Sequence, residues 1–423
     1  MKPIIYYTAC IAALITCRGF ADISNDTFDA NAPRQLQDYL RCAASNNAGL
    51  KAAYEQWRAA VEQVPQAKSL PEPQLTYGYA TESTPQRKMF EAMQMFPWFG
   101  TLEARADAAS AAAKAALKQY ETKKLELFYE VKQAFYEYSY LAKAISIANE
   151  NLELLKHFEQ VALARYVTST ALHPDVIRAQ IELAMMENRL QTLRETRPAI
   201  VARLNGILNK PTTGDLPWPE PPAYEQLSIN SEQLQTIAAG NNPQLQALGY
   251  EIETARSNEK LAKKRFYPDI GVGVGVDSGM GDNGDDRVMA KVSLILPIWT
   301  DNYKAAQRQA RAQLNKASQE KIQAENTLAA KVRQVLYEYQ SSNREIRLYR
   351  NIVIPKAREM LAVSETAYQA GTIDFLSLVD AQRSLLQYQL EYEKAVAENA
   401  QRLAELEMLA GVQLPILKEP EKK

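Results

Sequence analysis

The chain has 423 residues, 46% of them apolar, and its 49 lysines and arginines nearly balance 50 aspartates and glutamates for a net charge of -1. That balance excludes the strongly basic surface that nucleic-acid binding requires. Two histidines and three cysteines are too few for a histidine-rich metal site or a disulfide framework, and no cofactor is called for.

Residues 1–21 carry Lys2, an apolar run from Ile4 to Ile15, and the small residues Gly19 and Ala21 at minus three and minus one of a cleavage site. This pattern predicts a secretory signal peptide. Leu14-Ile15-Thr16-Cys17 half-resembles a lipobox, so lipidation of Cys17 is the alternative. Cleavage after Ala21 removes Cys10 and Cys17 and leaves Cys42 alone, without an intrachain partner. Beyond the leader no window holds the ~18 consecutive apolar residues of a membrane helix.

A first helix is predicted over 34–68. Leu75, Tyr77 and Tyr79 then alternate with Thr76, Gly78 and Ala80, the period of a strand. A second strand is predicted from Met89 to Phe99, with Phe90, Ala92 and Phe96 on one face and Met89, Glu91, Met93 and Met95 on the other. The three methionines offer a soft-metal set or plain barrel filling, and filling is the preferred reading. Residues 101–165 contain no glycine or proline and predict one helix of ~97 Å at ~1.5 Å per residue. Leu117, Tyr120, Leu127, Val131, Ala134, Tyr138, Leu141, Ile145, Ala148, Leu152 and Leu155 recur at spacings of three and four, a coiled-coil stripe broken only by Lys124. An irregular stretch near Val167–Pro174 and a helix to Asn209 close the first half. Five prolines in 211–222 mark a linker.

The second half repeats the first. A helix is predicted over 231–266. Ile270, Val272, Val274 and Val276 then alternate with Gly271, Gly273 and Gly275. A Gly- and Asp-rich turn follows, and Val288, Ala290, Val292, Leu294 and Leu296 form another alternating strand. The glycine run lacks dinucleotide-loop spacing and precedes no helix. Asp277, Asp282, Asp285 and Asp286 could hold calcium, but a solvated hairpin loop is the preferred reading. A long helix over 303–370 keeps the three-four stripe from Leu328 to Val353 and is expected to kink at Pro355. Offsets of 195, 200 and 202 residues superpose Asn46-Asn47 on Asn241-Asn242, Pro97 on Pro297, and Ala179-Gln180 on Ala381-Gln382. The 200-residue offset also places Glu91 on Lys291, both on the face opposite the apolar one, which predicts a barrel lumen. The divisions are therefore 1–21 leader, 22–213 first repeat and 214–423 second repeat.

Four strands of about ten residues, apolar on one face, fit a membrane-spanning barrel. Four cannot close, and open edges are forbidden in hydrocarbon, so copies of the chain must complete the barrel. Three copies give twelve strands and room for a channel, whereas eight strands fill their own interior.

The segments "QMFPWFGTLEARADAA" and "LILPIWTDNYKAAQRQA" resemble the strand-to-helix junctions of the TolC family of outer-membrane efflux proteins. "AYQAGTIDFLSLVDAQRSLLQYQLEY" resembles that family's periplasmic-tip signature, and "ARYVTSTALHPDVIRAQIEL" its first-repeat counterpart, with Ser169 where glycine is expected. "PWFG" and "DVIRAQ" are similar to the branch serving metal-cation pumps. The resemblance implies a mainly α fold with a small β part, a homotrimer with a 12-stranded barrel in outer-membrane lipid, and a long periplasmic helical tunnel. It further implies a periplasmic adaptor (membrane fusion protein) and an inner-membrane pump, in that branch of the resistance-nodulation-division class, with no enzymatic chemistry. The tips, Ser169 and Thr170 in the first repeat and Gly371 and Thr372 in the second, would dock the adaptor, or else simply reverse the chain. Asp380 and Arg383 share a helix face one turn apart, the spacing of an ordinary exposed pair. The resemblance puts them, with Asp374, at the periplasmic gate, where a trimer would make a charged ring. A periplasmic adaptor would show one helical hairpin without duplicated strands, and a structural coiled coil no strands. His157 and His173 are expected as surface residues.

Overall fold

The computed structural model describes residues 34–80, 87–169, 172–221, 225–278 and 286–418. The leader with Cys17, the tip residue Thr170, and Asp282 and Asp285 lie outside the described residues.

The elements run α1 (Leu36–Asn46), α2 (Ala48–Lys68), β1 (Gln74–Ala80), β2 (Arg87–Phe96), α3 (Thr101–Val167), α4 (His173–Ile207), β3 (Glu225–Leu227), α5 (Ser231–Asn241), α6 (Pro243–Lys264), β4 (Asp269–Ser278), β5 (Arg287–Ile295), α7 (Thr300–Leu348), a π turn (Tyr349–Val353), α8 (Ile354–Gln369), α9 (Phe375–Ala410) and β6 (Ile416–Lys418). The fold is mainly helical with a small antiparallel sheet. The 67-residue α3 is its axis, lying against α2 and α6 at one end and α4 and α9 at the other.

Two single helices expected from the sequence are each split in two. Asn47 leaves the helical conformation and caps α2, its Oδ1 accepting from the Leu50 amide at 2.9 Å, while its Nδ2 donates to the Ile207 carbonyl at 2.9 Å. Asn242 repeats both bonds, to the Leu245 amide at 3.0 Å and the Leu409 carbonyl at 2.9 Å. One asparagine thus starts a helix and satisfies an orphan carbonyl at the end of a neighbouring one. The strand expected to reach Phe99 stops at Phe96, because Trp98 and Gly100 begin the turn into α3. Gly100 holds φ 77°, and the Thr101 amide donates to Trp98 O at 3.0 Å. The kink expected at Pro355 is a π turn just before it, where the Ile354 amide reaches back to Tyr349 O. Proline has no N–H to offer, and the wider turn accommodates the loss.

The α3 stripe is buried in its middle, at Leu127, Val131, Ala134, Tyr138, Leu141, Ala148 and Leu155. Its first turns are buried on more than one side through Ala104, Ala106, Ala108, Ala111, Ala113 and Ala115, where small side chains let α2 and α6 both approach.

The four long strands form one sheet in the order β1-β2-β4-β5, every neighbour antiparallel, with β1 and β5 as open edges. Leu75, Tyr77, Phe90, Val274 and Val292 all lie on one face, and all are exposed. On the other face Gly271, Gly273 and Gly275 are covered by neighbouring side chains. A second, two-stranded sheet pairs β3 with β6, joining the linker to the C-terminal end.

Candidate functional site

Two regions carry the polar chemistry, the glycine-bearing face of the sheet and the far end of the helices. On the sheet, Glu91 of β2 stands beside Gly275 and Lys291 of β5 beside Gly273, so the two side chains meet over β4. Their Nζ–Oε2 distance is 2.7 Å. Glycine is needed beneath them, since a Cβ at Gly273 would sit 2.7 Å from the Ala92 carbonyl. Met93 and Met95 occupy the neighbouring space, their sulfurs 3.3 and 2.7 Å from where a Gly271 Cβ would be. Their packing is that of gap-filling side chains. Among the described residues no group of three His, Cys, Asp or Glu is placed to hold a metal.

At the far end, α3 and α8 turn into α4 and α9. Ser169 and Gly371 both adopt left-handed backbone, φ 59° and 79°, so the serine holds the conformation that glycine holds in the second repeat. Thr372 Oγ1 closes its turn on the Ala367 carbonyl at 2.9 Å. Arg165 spans the two tips, its guanidinium 4.6 Å over the Tyr368 ring and donating to the Tyr368 carbonyl. His173 begins α4 with its ring 5.2 Å from that of Tyr166, and His157 faces Glu365 at 3.3 Å on an exposed surface.

Asp374 caps α9, accepting from the Ser377 hydroxyl at 2.6 Å and the Ser377 amide at 2.9 Å. Those two bonds hold its carboxyl below the usual aspartate range. Six and nine residues on, Asp380 and Arg383 do share a face, 3.8 Å apart. The stronger partner of Arg383 is Glu182 of α4, which it grips with two parallel bonds, Nε to Oε2 at 3.0 Å and Nη2 to Oε1. This fork-on-fork contact raises the Arg383 pKa, the hydrogen bond outweighing burial. Glu182 is only 13% exposed and Asp380 62%. The pair closes one end of a groove between α4 and α9, floored by Tyr140 of α3 and lined further by Arg189, Glu391 and Lys394. Beneath it, Gln382 donates to Asn151 at 3.0 Å inside the helical seam, both buried.

Residues 40–210 and 234–412 match the sequence pattern of the outer membrane efflux protein family. The chain belongs to that family. It is an outer-membrane efflux channel component, and channels of this family are transporters that work with adaptor proteins and inner-membrane pumps. It is similar to the cobalt-zinc-cadmium resistance protein CzcC of Cupriavidus metallidurans, 22% identical over 90% of this chain and 91% of the relative. Among solved structures it resembles the Neisseria gonorrhoeae MtrE outer membrane channel (TM-score 0.76, 19% identity, 93% and 94% of the two chains). It also resembles the Vibrio cholerae outer membrane protein VceC (TM-score 0.76, 17% identity, 89% and 96%). For an efflux channel component, two residues at the far end of the helices were not found by spacing. Glu182 lies 201 residues from Arg383, and Asn151 lies 231 from Gln382. The 202-residue offset sets Ile181, not Glu182, on position 383, so the repeat carries no signal for the first.

Proposed function

We propose that three copies of this chain form a closed duct through the outer membrane, with most of each chain in the periplasm. The observation that carries this reading is the four-stranded sheet with both edges open and its apolar face exposed. Unpaired edges are not tolerated in hydrocarbon, and pairing β5 of one copy with β1 of the next around a three-fold axis gives twelve strands and a lumen. The Glu91–Lys291 pair lines that lumen. The divisions 1–21, 22–213 and 214–423, a leader and two repeats, supply matching strand pairs and helices to the wall. CzcC is a cobalt-zinc-cadmium resistance protein similar over nearly the whole chain, which favours metal cations as cargo handed on by a resistance-nodulation-division pump. The duct works without chemistry of its own.

The tips at Ser169, Thr170, Gly371 and Thr372 dock the adaptor. Asp380 and Arg383 form the periplasmic gate with Asp374 as the cap that fixes the start of their helix, and Glu182 is the latch. Arg383 ties α9 to α4, and three exposed Asp380 carboxylates near the axis favour cations. Planar-bilayer recording tests it. Glu182→Gln and Arg383→Ala should each raise single-channel conductance, and Asp380→Ala should weaken cation preference. Wild-type conductance and selectivity in all three variants, with the assembly intact, would exclude this cluster as the gate.

A further inference from the structure

The exposed apolar face of the sheet ends in a ring of large side chains at the junctions with the helices. Phe99 and Trp299 are 78% and 77% exposed, and Ile298 is 68% exposed. Trp98 stacks on Tyr267 with ring centroids 5.2 Å apart. Aromatic residues in this position mark the level of lipid headgroups.

The helix α6 reaches that ring with a basic end. Lys260, Lys263, Lys264 and Tyr267 stand at spacings of three and four, so the lysines lie on one helix face that leads to the aromatic pair. Lys264 Nζ lies 5.9 Å over the Tyr267 ring and donates to the Phe99 carbonyl at 3.1 Å, which fixes this face against the ring. Lys260, Lys263 and Arg265 are exposed. Glu259, on the buried side, takes up Lys263 at 3.2 Å and Arg311 of α7 at 3.5 Å. Among the described residues no carboxylate pairs with Lys260 or Arg265. The helix α6 lies between α3 and α7, so this face is not the open edge at which another copy would add. The corresponding helix of the first half, α2, has Lys68 as the single basic residue of its last turn, against Lys263 and Lys264 in the last turn of α6.

We propose that this face of α6 binds the phosphates of anionic phospholipid, with Tyr267, Trp98 and Phe99 seated in the glycerol and upper acyl region. The inference rests on the sheet spanning the membrane. Cations directly beside an aromatic ring match a phosphate attached to an apolar body, whereas a free anion would leave the ring unused. Each cation near an anionic lipid surface contributes on the order of fivefold in affinity.

Native mass spectrometry of the full chain in detergent, offered phosphatidylglycerol or phosphatidylcholine, tests the assignment. The wild type should retain phosphatidylglycerol in preference. Lys260→Gln combined with Lys263→Gln should lower that retention on the order of twentyfold, and Lys260→Arg should keep it. Equal retention of both lipids, an unaffected double variant, or displacement of the lipid by millimolar inorganic phosphate would overturn it. A chain that fails to form a heat-resistant assembly in detergent would instead defeat the membrane-spanning reading itself, an outcome visible before lipid is added.

Discussion

Ser169 sits at φ 59° with a Cβ that left-handed backbone disfavours. In the second repeat Gly371 takes the same region at φ 79° without that penalty. Ser169→Gly should therefore stabilise the first tip by about 1 kcal/mol, read as slower amide hydrogen exchange over 164–169. Unchanged or faster exchange there would contradict the strain. The mismatch between serine and glycine was legible in the sequence, because the 202-residue offset aligns the two positions. The conformation was not, since spacing carries no dihedral angle. The same limit separates Asp380 and Arg383, whose common face follows from a spacing of three, from Glu182, which meets Arg383 only because α4 and α9 are brought together by α3.

Helical periodicity survives a one-residue interruption, which is why 34–68 and 231–266 each read as a single helix. The Asn46-Asn47 and Asn241-Asn242 pairs were visible as landmarks of the repeat, but their role depends on carbonyls some 160 residues away in sequence, at Ile207 and Leu409. Asn47→Ala removes both the cap and the donor to Ile207 and should cost about 1–3 kcal/mol in thermal unfolding of the detergent-solubilised protein. Asn47→Asp keeps the cap acceptor and loses only the donor, so its loss should be smaller. Equal losses would assign the whole effect to the Ile207 bond. The strands were the most legible elements, because alternation fixes faces directly. Glu91 and Lys291 were placed on one face by the offset alone, and the glycines of β4 turn that shared face into a contact.

For the whole molecule, the long seam of α3, the repeat and the apolar strands together made the mainly α fold and its small sheet readable before any coordinates. What spacing could not give was the order of the strands, in which β2 pairs with β4 across the repeat boundary. That order joins the two halves into one sheet and leaves β1 and β5 as its edges. Among the described residues each edge presents backbone groups with no partner in its own chain, and the apolar face beside them has no cover. Both defects are removed together when copies pair edge to edge in a closed ring. Multi-angle light scattering of the detergent-solubilised chain, corrected for bound detergent, measures the number of copies directly. The account predicts three chains in a single species, and a monodisperse monomer or dimer would contradict it.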